Sequence, residues 1–90
     1  MALLAGQPEH VAFKTDSEAM LVQLQEPLRR ALDGRSRFYA VELAAVGRVG
    51  EVLVSITGSN GRLPLLFAHE ELEPGYVSSV VRAAVERFAL

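Results

Sequence analysis

The chain of 90 residues contains no cysteine and no tryptophan, and only four prolines. Without cysteine it can form neither disulfides nor thiolate metal sites, and this absence is compatible with a reducing compartment. The uninterrupted apolar runs are far shorter than the roughly 20 residues that a membrane-spanning helix needs. The opening MALLAG is too short an apolar stretch for a signal peptide and has no basic residues before it. We therefore expect a soluble, cytoplasmic protein with no membrane partner.

A strong excess of one charge is also missing, since nine basic and eleven acidic residues give a formal net charge of −2. This balance argues against a general nucleic-acid binder. The middle of the chain differs, because residues 29–62 carry six arginines against three acidic residues, a net of +3. Either these are solvated loop arginines or they form a zone that contacts nucleic acid: Arg29, Arg30, Arg35, Arg37, Arg48 and Arg62. The only aromatic residues interleaved for base stacking are Phe38 and Tyr39.

Half of the residues are hydrophobic, which is a high share for a chain with room for a single domain, residues 1–90. An apolar surplus in so small a domain is typical of a protein that covers one face with a partner, often a second copy of the same chain. We therefore expect a homodimer or a higher homo-oligomer.

The first helical pattern has apolar residues at three- and four-residue steps and predicts a helix over 16–33. Thr15 fits the N-cap and Glu18 the third helical position of a capping box. Pro27 interrupts the pattern, so the helix should kink or restart there. Gly34 is a suitable residue to end it.

The second helical pattern is the clearest in the chain and predicts a helix over 74–89. Pro74 follows Glu73 and fits the first turn, where its missing amide hydrogen costs nothing.

Between the helices the apolar period changes to two, which predicts three strands over 37–45, 51–57 and 62–68. The dipeptide Asn60-Gly61 is a strong signal for a tight hairpin, because both residues tolerate positive φ. Pro64 cannot donate to a strand ladder, so the third of these strands should lie at an edge of the sheet or contain a bulge.

Residues 1–14 have little periodicity. They predict a loose N-terminal arm or a short edge strand that places Val11 and Phe13 on one side. We favour an extended lead-in whose Phe13 packs against the first helix.

The order α-β-β-β-α predicts an α+β fold, a two-layer sandwich of a three-stranded antiparallel meander with both helices on one face. The opposite face of the sheet is then uncovered. We expect it to be the oligomer interface, formed by Phe38, Ala40 and Leu53 or by their alternates on the same strands.

This element order resembles that of double-stranded-RNA-binding domains, although residues 70–74 are acidic where that family has lysines, so the resemblance implies topology only. Residues 52–58, with Gly61 to Leu63, are similar to the YbaB-type nucleoid-associated family. That resemblance implies an acidic, dimeric DNA binder with a long first helix, whereas the first helical pattern here is short and contains Pro27.

No residue is predicted to be catalytic, to bind a cofactor or to ligate a metal. The one cluster of possible ligands, His69 to Glu71, lacks the second histidine or a cysteine that would complete a usual metal site. Glu42 stands in an otherwise apolar strand and is a buried base, a partner to an arginine across the sheet, or a solvent-facing residue. Residues 58–62 are glycine-rich, but a strand rather than a helix follows them, which favours a hairpin over a phosphate loop.

The sequence therefore predicts a non-enzymatic, homo-oligomeric protein-interaction module. The alternative is a nucleic-acid-associated protein that uses the arginines between Arg29 and Arg62.

Overall fold

Both helical patterns and all three alternating patterns form the predicted kind of element, and a further strand precedes them. The computed structural model describes residues 11–33, 38–47 and 50–90. In chain order the elements are β1 (Val11–Thr15), α1 (Glu18–Leu32), β2 (Tyr39–Val46), β3 (Glu51–Gly58), β4 (Gly61–Phe67), a 3₁₀ turn (His69–Glu71) and α2 (Pro74–Arg87). The α+β class is confirmed, whereas the predicted order α-β-β-β-α is wrong because it omits β1.

The four strands form one mixed sheet in the order β1-β2-β3-β4. β2, β3 and β4 are antiparallel neighbours, as the two predicted hairpins require. β1 runs parallel to β2, with Val11 opposite Tyr39 and Thr15 opposite Leu43. The predicted three-stranded antiparallel meander is therefore wrong in its strand number and in the direction of one pairing.

β1 shows that the short edge strand is the correct alternative for residues 11–14 and that the favoured lead-in is wrong. The contact predicted between Phe13 and the first helix is present, because the Phe13 ring lies against Arg29 of α1. Adjacent parallel strands need a crossover connection, and α1 supplies it by carrying the chain from the end of β1 back to the start of β2. Val11 is buried and Phe13 half-buried, while Ala12 and Lys14 are exposed on the other side of the strand. Residues 1–10 of the predicted arm lie outside the described residues.

The start of α1 lies two residues later than predicted, because Thr15 still belongs to β1. Ser17 is the N-cap, and its Oγ accepts a hydrogen bond from the Met20 amide at 3.2 Å. Thr15 Oγ1 accepts instead from the Ser17 amide at 3.1 Å. The predicted capping box of Thr15 with Glu18 is therefore wrong, and the cap belongs to the next hydroxyl along the chain.

Pro27 lies inside α1, which runs without interruption from Glu18 to Leu32. The alternative in which a new helix begins at Pro27 is therefore wrong. The ring of Pro27 is buried beside the apolar stripe of the helix. Gly34, the predicted end of the helix, lies outside the described residues. In the described part of the chain no helix is both long enough and apolar enough to cross a membrane.

The core is one cluster between the two helices and one face of the sheet. Each helix contributes its buried stripe and each central strand contributes alternate residues: Leu24, Leu28 and Leu32 from α1; Val77, Val81 and Val85 from α2; Tyr39, Val41 and Leu43 from β2; Val52, Val54 and Ile56 from β3. The side chains that alternate with these strand residues point to the opposite face of the sheet.

β4 lies at an edge of the sheet that the described residues form, as Pro64 predicts. Gly58 pairs with Gly61 across a two-residue turn, and hydrogen-bonded and non-hydrogen-bonded pairs alternate from there. Counting along the ladder makes Ser55 and Pro64 a non-hydrogen-bonded pair, so the Pro64 nitrogen faces away from β3. Pro64 therefore removes no hydrogen bond between β3 and β4. The free edge of β4 lacks one amide hydrogen at Pro64, which hinders addition of another strand there.

The chain after α2 is held by hydrogen bonds from β2 and from the β3–β4 turn. The predicted helix to residue 89 is two residues too long, because Ala89 has φ 54° and the helix ends at Arg87. The Tyr39 hydroxyl donates to the Leu90 carbonyl oxygen at 2.7 Å in the interior, and Asn60 Nδ2 donates to the Ala89 carbonyl at 2.8 Å. Gly58 leaves room for this arrangement, since a Cβ there would lie 3.3 Å from the Tyr39 ring.

Removing the Tyr39 hydroxyl should lower the free energy of unfolding by about 1–2 kcal/mol, because the buried Leu90 carbonyl loses its donor. Urea unfolding of Tyr39→Phe measures this cost. Tyr76→Phe is the matched control, since the Tyr76 hydroxyl is exposed and its hydrogen bond to Glu71 Oε2 is long, at 3.4 Å. The control should change stability by less than about 0.5 kcal/mol. Equal costs for the two variants would contradict the proposed role of the buried bond.

Candidate protein-interaction face

The sheet face opposite the helices, here called the outer face, is covered by no described element. Its members alternate with the core residues of each strand: Ala12 and Lys14 of β1; Ala40, Glu42, Ala44 and Val46 of β2; Glu51, Leu53, Ser55 and Thr57 of β3; Arg62, Pro64 and Leu66 of β4. Ala40 and Leu53 thus lie on the face where the sequence predicts an interface. Phe38 precedes β2 and is also exposed, whereas the alternates Tyr39 and Val52 are buried under the helices.

Strand register arranges the outer face in four rows that run across the strands. The first row is Ala12, Ala40, Thr57 and Arg62, and the second is Lys14, Glu42, Ser55 and Pro64. The third row is Ala44, Leu53 and Leu66, and the fourth is Val46 and Glu51. We call the first two rows the polar zone and the last two the apolar zone.

Three side chains interact at the centre of the polar zone. Arg62 Nη2 lies 3.7 Å from Glu42 Oε1 and donates to Ser55 Oγ at 3.4 Å. Both charged side chains keep more than half of their surface in solvent, so the ion pair adds little to stability. Ser55 is only 3% exposed although neither described helix covers it. Glu42 therefore faces solvent and pairs with an arginine, and the buried-base alternative is wrong.

A hollow of about 190 Å³ lies beside this group. Short side chains line it, so no bulky group fills the space above the sheet: Ala12, Ala40, Ser55 and Thr57. Lys14 and Glu42 border it. The polar zone is therefore concave, with charged groups at its rim.

The apolar zone has the opposite shape. Leu66 is 56% exposed and Val46 is 38% exposed, which are large fractions for such side chains in a sheet. Leu53 is half-buried between the neighbouring strands, and Ala44 lies opposite it in the register. Leu66, Val46 and Leu53 therefore form a raised apolar surface next to the hollow, while Ala44 borders a cavity on the β1 side.

A second cavity, of about 320 Å³, lies where β1 ends. β1 stops at Thr15 opposite Leu43, while β2 continues to Val46, so this length of β2 has no described strand on that side. Lys14, Asp16 and Glu42 line the opening together with small residues of β2. In the part of the chain that the structure describes, no three or more histidine or acidic side chains are grouped so that they could hold a metal ion.

The arginines predicted to contact nucleic acid do not share one surface where they are described. Arg29 lies on α1 with its guanidinium carbon 5.3 Å from the centre of the Phe13 ring, and Arg30 pairs with Glu26 at 3.6 Å on the same helix. Arg62 lies on the opposite side of the sheet. The remaining members of the predicted set lie outside the described residues: Arg35, Arg37 and Arg48.

The cluster from His69 to Glu71 forms a 3₁₀ turn before α2. Glu71 Oε1 accepts from the Ala68 amide at 2.8 Å, which is a structural role. His69 packs against Gly50, where a Cβ would lie 3.2 Å from its Nδ1. Glu42 is opposite Ser55, five residues and about 17 Å further along β3 than Gly50, so it does not join this cluster.

Sequence reasoning missed that Lys14 belongs to the outer face, because this placement depends on β1. The signal was the alternation of Val11 and Phe13 with Ala12 and Lys14.

Comparisons with protein-family models, with curated proteins and with solved structures find no match for the chain. The geometry of the outer face therefore carries the functional proposal.

Proposed function

We propose that this chain is a cytoplasmic, non-enzymatic protein-interaction module that associates with a second copy of itself through the outer face. The observation that carries the proposal is a four-stranded sheet whose described helices cover one face, while the other face bears exposed Leu66 and Val46 beside Leu53. Exposed apolar side chains grouped on one face are typical of an interaction surface.

The face is a better contact than the β4 edge of the sheet, because Pro64 hinders strand addition along β4. The side chains of the outer face are also of both signs, with Lys14 and Arg62 against Glu42 and Glu51. A surface of this kind is complementary to itself, as a two-fold dimer requires.

The size of the face predicts a reversible dimer. Four strands about 4.8 Å apart and about seven residues long give a sheet of roughly 19 by 24 Å. Stable complexes bury about 800 Å² on each partner, and the flat area of this face, roughly 460 Å², is smaller, as in weak and reversible associations. The core on the helical side is closed without the outer face, and the monomer should therefore fold by itself.

Analytical ultracentrifugation over a range of concentrations tests the proposal. We expect the chain to pass from monomer to dimer in the micromolar range. Leu66→Asp should weaken the dimer at least about tenfold, because it removes the most exposed large apolar side chain of the outer face from the contact and adds a carboxylate that association would desolvate. The matched control is Val22→Asp, since Val22 is 75% exposed on α1, on the other side of the molecule.

The proposal is wrong if the chain stays monomeric up to the highest soluble concentration, or if Val22→Asp weakens the dimer as much as Leu66→Asp does. An electrophoretic shift with DNA or RNA at low salt, shown by a monomeric chain, would favour the nucleic-acid alternative instead.

A further inference from the structure

We infer that the two copies pack face to face about a two-fold axis that runs across the strands, so that the apolar zone of each copy covers the polar zone of the other. This inference rests on the proposed function and specifies its geometry. When the axis lies between the second and third rows, all four rows of one copy contact rows of the other. The first row then faces the fourth, and the second faces the third.

Shape is the first argument for this arrangement. Val46 then stands over Ala40 of the second copy and Leu53 over Ser55, and Ala40 and Ser55 both line the hollow of about 190 Å³. Leu66 stands over Pro64, beside the hollow. If the polar zone of one copy faced the polar zone of the other, the two hollows would meet and leave an unfilled space. Interfaces pack as densely as protein interiors, so filling the hollow with an apolar side chain is the more stable solution.

Charge is the second and independent argument. With the axis across the strands, the first row of one copy faces the fourth row of the other, and Glu51 of the second copy lies over Thr57. Thr57 is the cross-strand neighbour of Arg62, so opposite charges meet twice in the dimer. With the axis along the strands, β1 would face β4 and bring Lys14 close to Arg62 of the second copy. Two like pairs would then repel.

A third pair of opposite charges, Lys14 with Asp16, also fits the axis that runs across the strands, here called the transverse axis. Asp16 follows β1 directly and lines the cavity at its end together with Ala44, which places it level with the third row. The second row of one copy faces the third row of the other, so Lys14 meets Asp16 of the second copy. The arrangement therefore brings the two cations of the outer face, Lys14 and Arg62, near Asp16 and Glu51 of the second copy.

Glu51 and Arg62 give a test that a contact within one chain cannot imitate. Glu51 and Thr57, the neighbour of Arg62, are six residues apart on β3, which is about 20 Å. Any coupling between Glu51 and Arg62 must therefore act between two copies. The experiment compares dimer dissociation constants, measured by sedimentation equilibrium, for Glu51→Arg, Arg62→Glu and the double variant.

Each single charge reversal should weaken the dimer about 5- to 10-fold, because the two-fold symmetry creates the repulsive pair at two places in the interface. The double variant should dimerise at least about fivefold more tightly than the combined effects of the two single variants predict, because both pairs between the copies are restored with the charges exchanged. Recovery is incomplete, because the replaced Arg62 no longer pairs with Glu42 of its own chain. Arg62→Glu combined with Glu86→Arg, a reversal on α2, is the matched control and should show no recovery.

The outcomes separate this inference from the proposed function. If the chain dimerises but the losses of the two single variants simply add in the double variant, the transverse axis is wrong and self-association stands. If the unchanged chain does not dimerise, both are wrong. Recovery in the Glu86→Arg control would also overturn the inference, because net charge rather than a specific pair would then explain the effect.

Discussion

Leu24→Ala is expected to lower the free energy of unfolding by about 2–5 kcal/mol. Leu24 has no exposed surface and lies in the cluster that joins both helices to the sheet. Truncation removes three carbons and leaves a cavity that the surrounding strands and helices fill only in part. A chain of this length has a total stability of roughly 5–13 kcal/mol, so the loss is a large share of the whole.

Val22→Ala is the matched control on the same helix. Val22 is 75% exposed, and alanine has the higher helix propensity, so the control should change stability by less than about 0.5 kcal/mol. Urea unfolding followed by circular dichroism gives both values. An unchanged slope of the unfolding free energy against urea concentration shows that the unfolded states are comparable. Similar losses for the two variants would show that α1 does not pack through the Leu24 side.

The elements that the sequence predicted correctly are those whose periodicity is long enough to be unambiguous. α2 repeats its apolar residues over four turns, and β2 and β3 are each eight residues long and bury three alternate apolar residues under the helices. In such segments the local pattern and the tertiary packing require the same conformation. Pro64 also indicated its own position, because a missing donor is tolerated at an edge or at a bulge, and the edge is the alternative that the structure shows.

β1 could not be recognised from its pattern, because five residues with two large apolar side chains fit an edge strand and an extended lead-in equally well. Its partner decides between them, and that partner is β2, which follows only after α1. The cap of α1 depends on the same decision. Thr15 and Ser17 are both good cap residues, and the strand that keeps Thr15 leaves Ser17 for the helix.

The outer face was predictable in part for the same reason. Alternation alone places Ala40 and Leu53 together on one side of neighbouring strands. The position of Lys14 beside Glu42, and therefore the polar zone with its hollow, requires the parallel register of β1. The pairing of Arg62 with Glu42 requires the register of two hairpins at once. Residues distant in sequence meet through pairings that composition and period do not specify.

Val11→Asp is expected to lower the free energy of unfolding by about 2–4 kcal/mol, because it places a carboxylate on the covered side of β1 without a partner. Val11 is 5% exposed and lies opposite Tyr39 in the parallel ladder. Ala12→Asp is the control with the same new side chain one residue later. Ala12 is exposed on the outer face, so its replacement should cost less than about 0.5 kcal/mol in the monomer. Both values come from urea unfolding at concentrations below those at which the chain associates.

The difference between these neighbours measures how firmly β1 belongs to the sheet. A loose lead-in would expose both side chains to solvent, and the two aspartates would then cost the same small amount. A strand held against β2 must bury one and expose the other, because successive side chains point to opposite faces. Only a strand can separate the two variants, and without that strand Lys14 has no fixed place on the outer face and the hollow loses one wall.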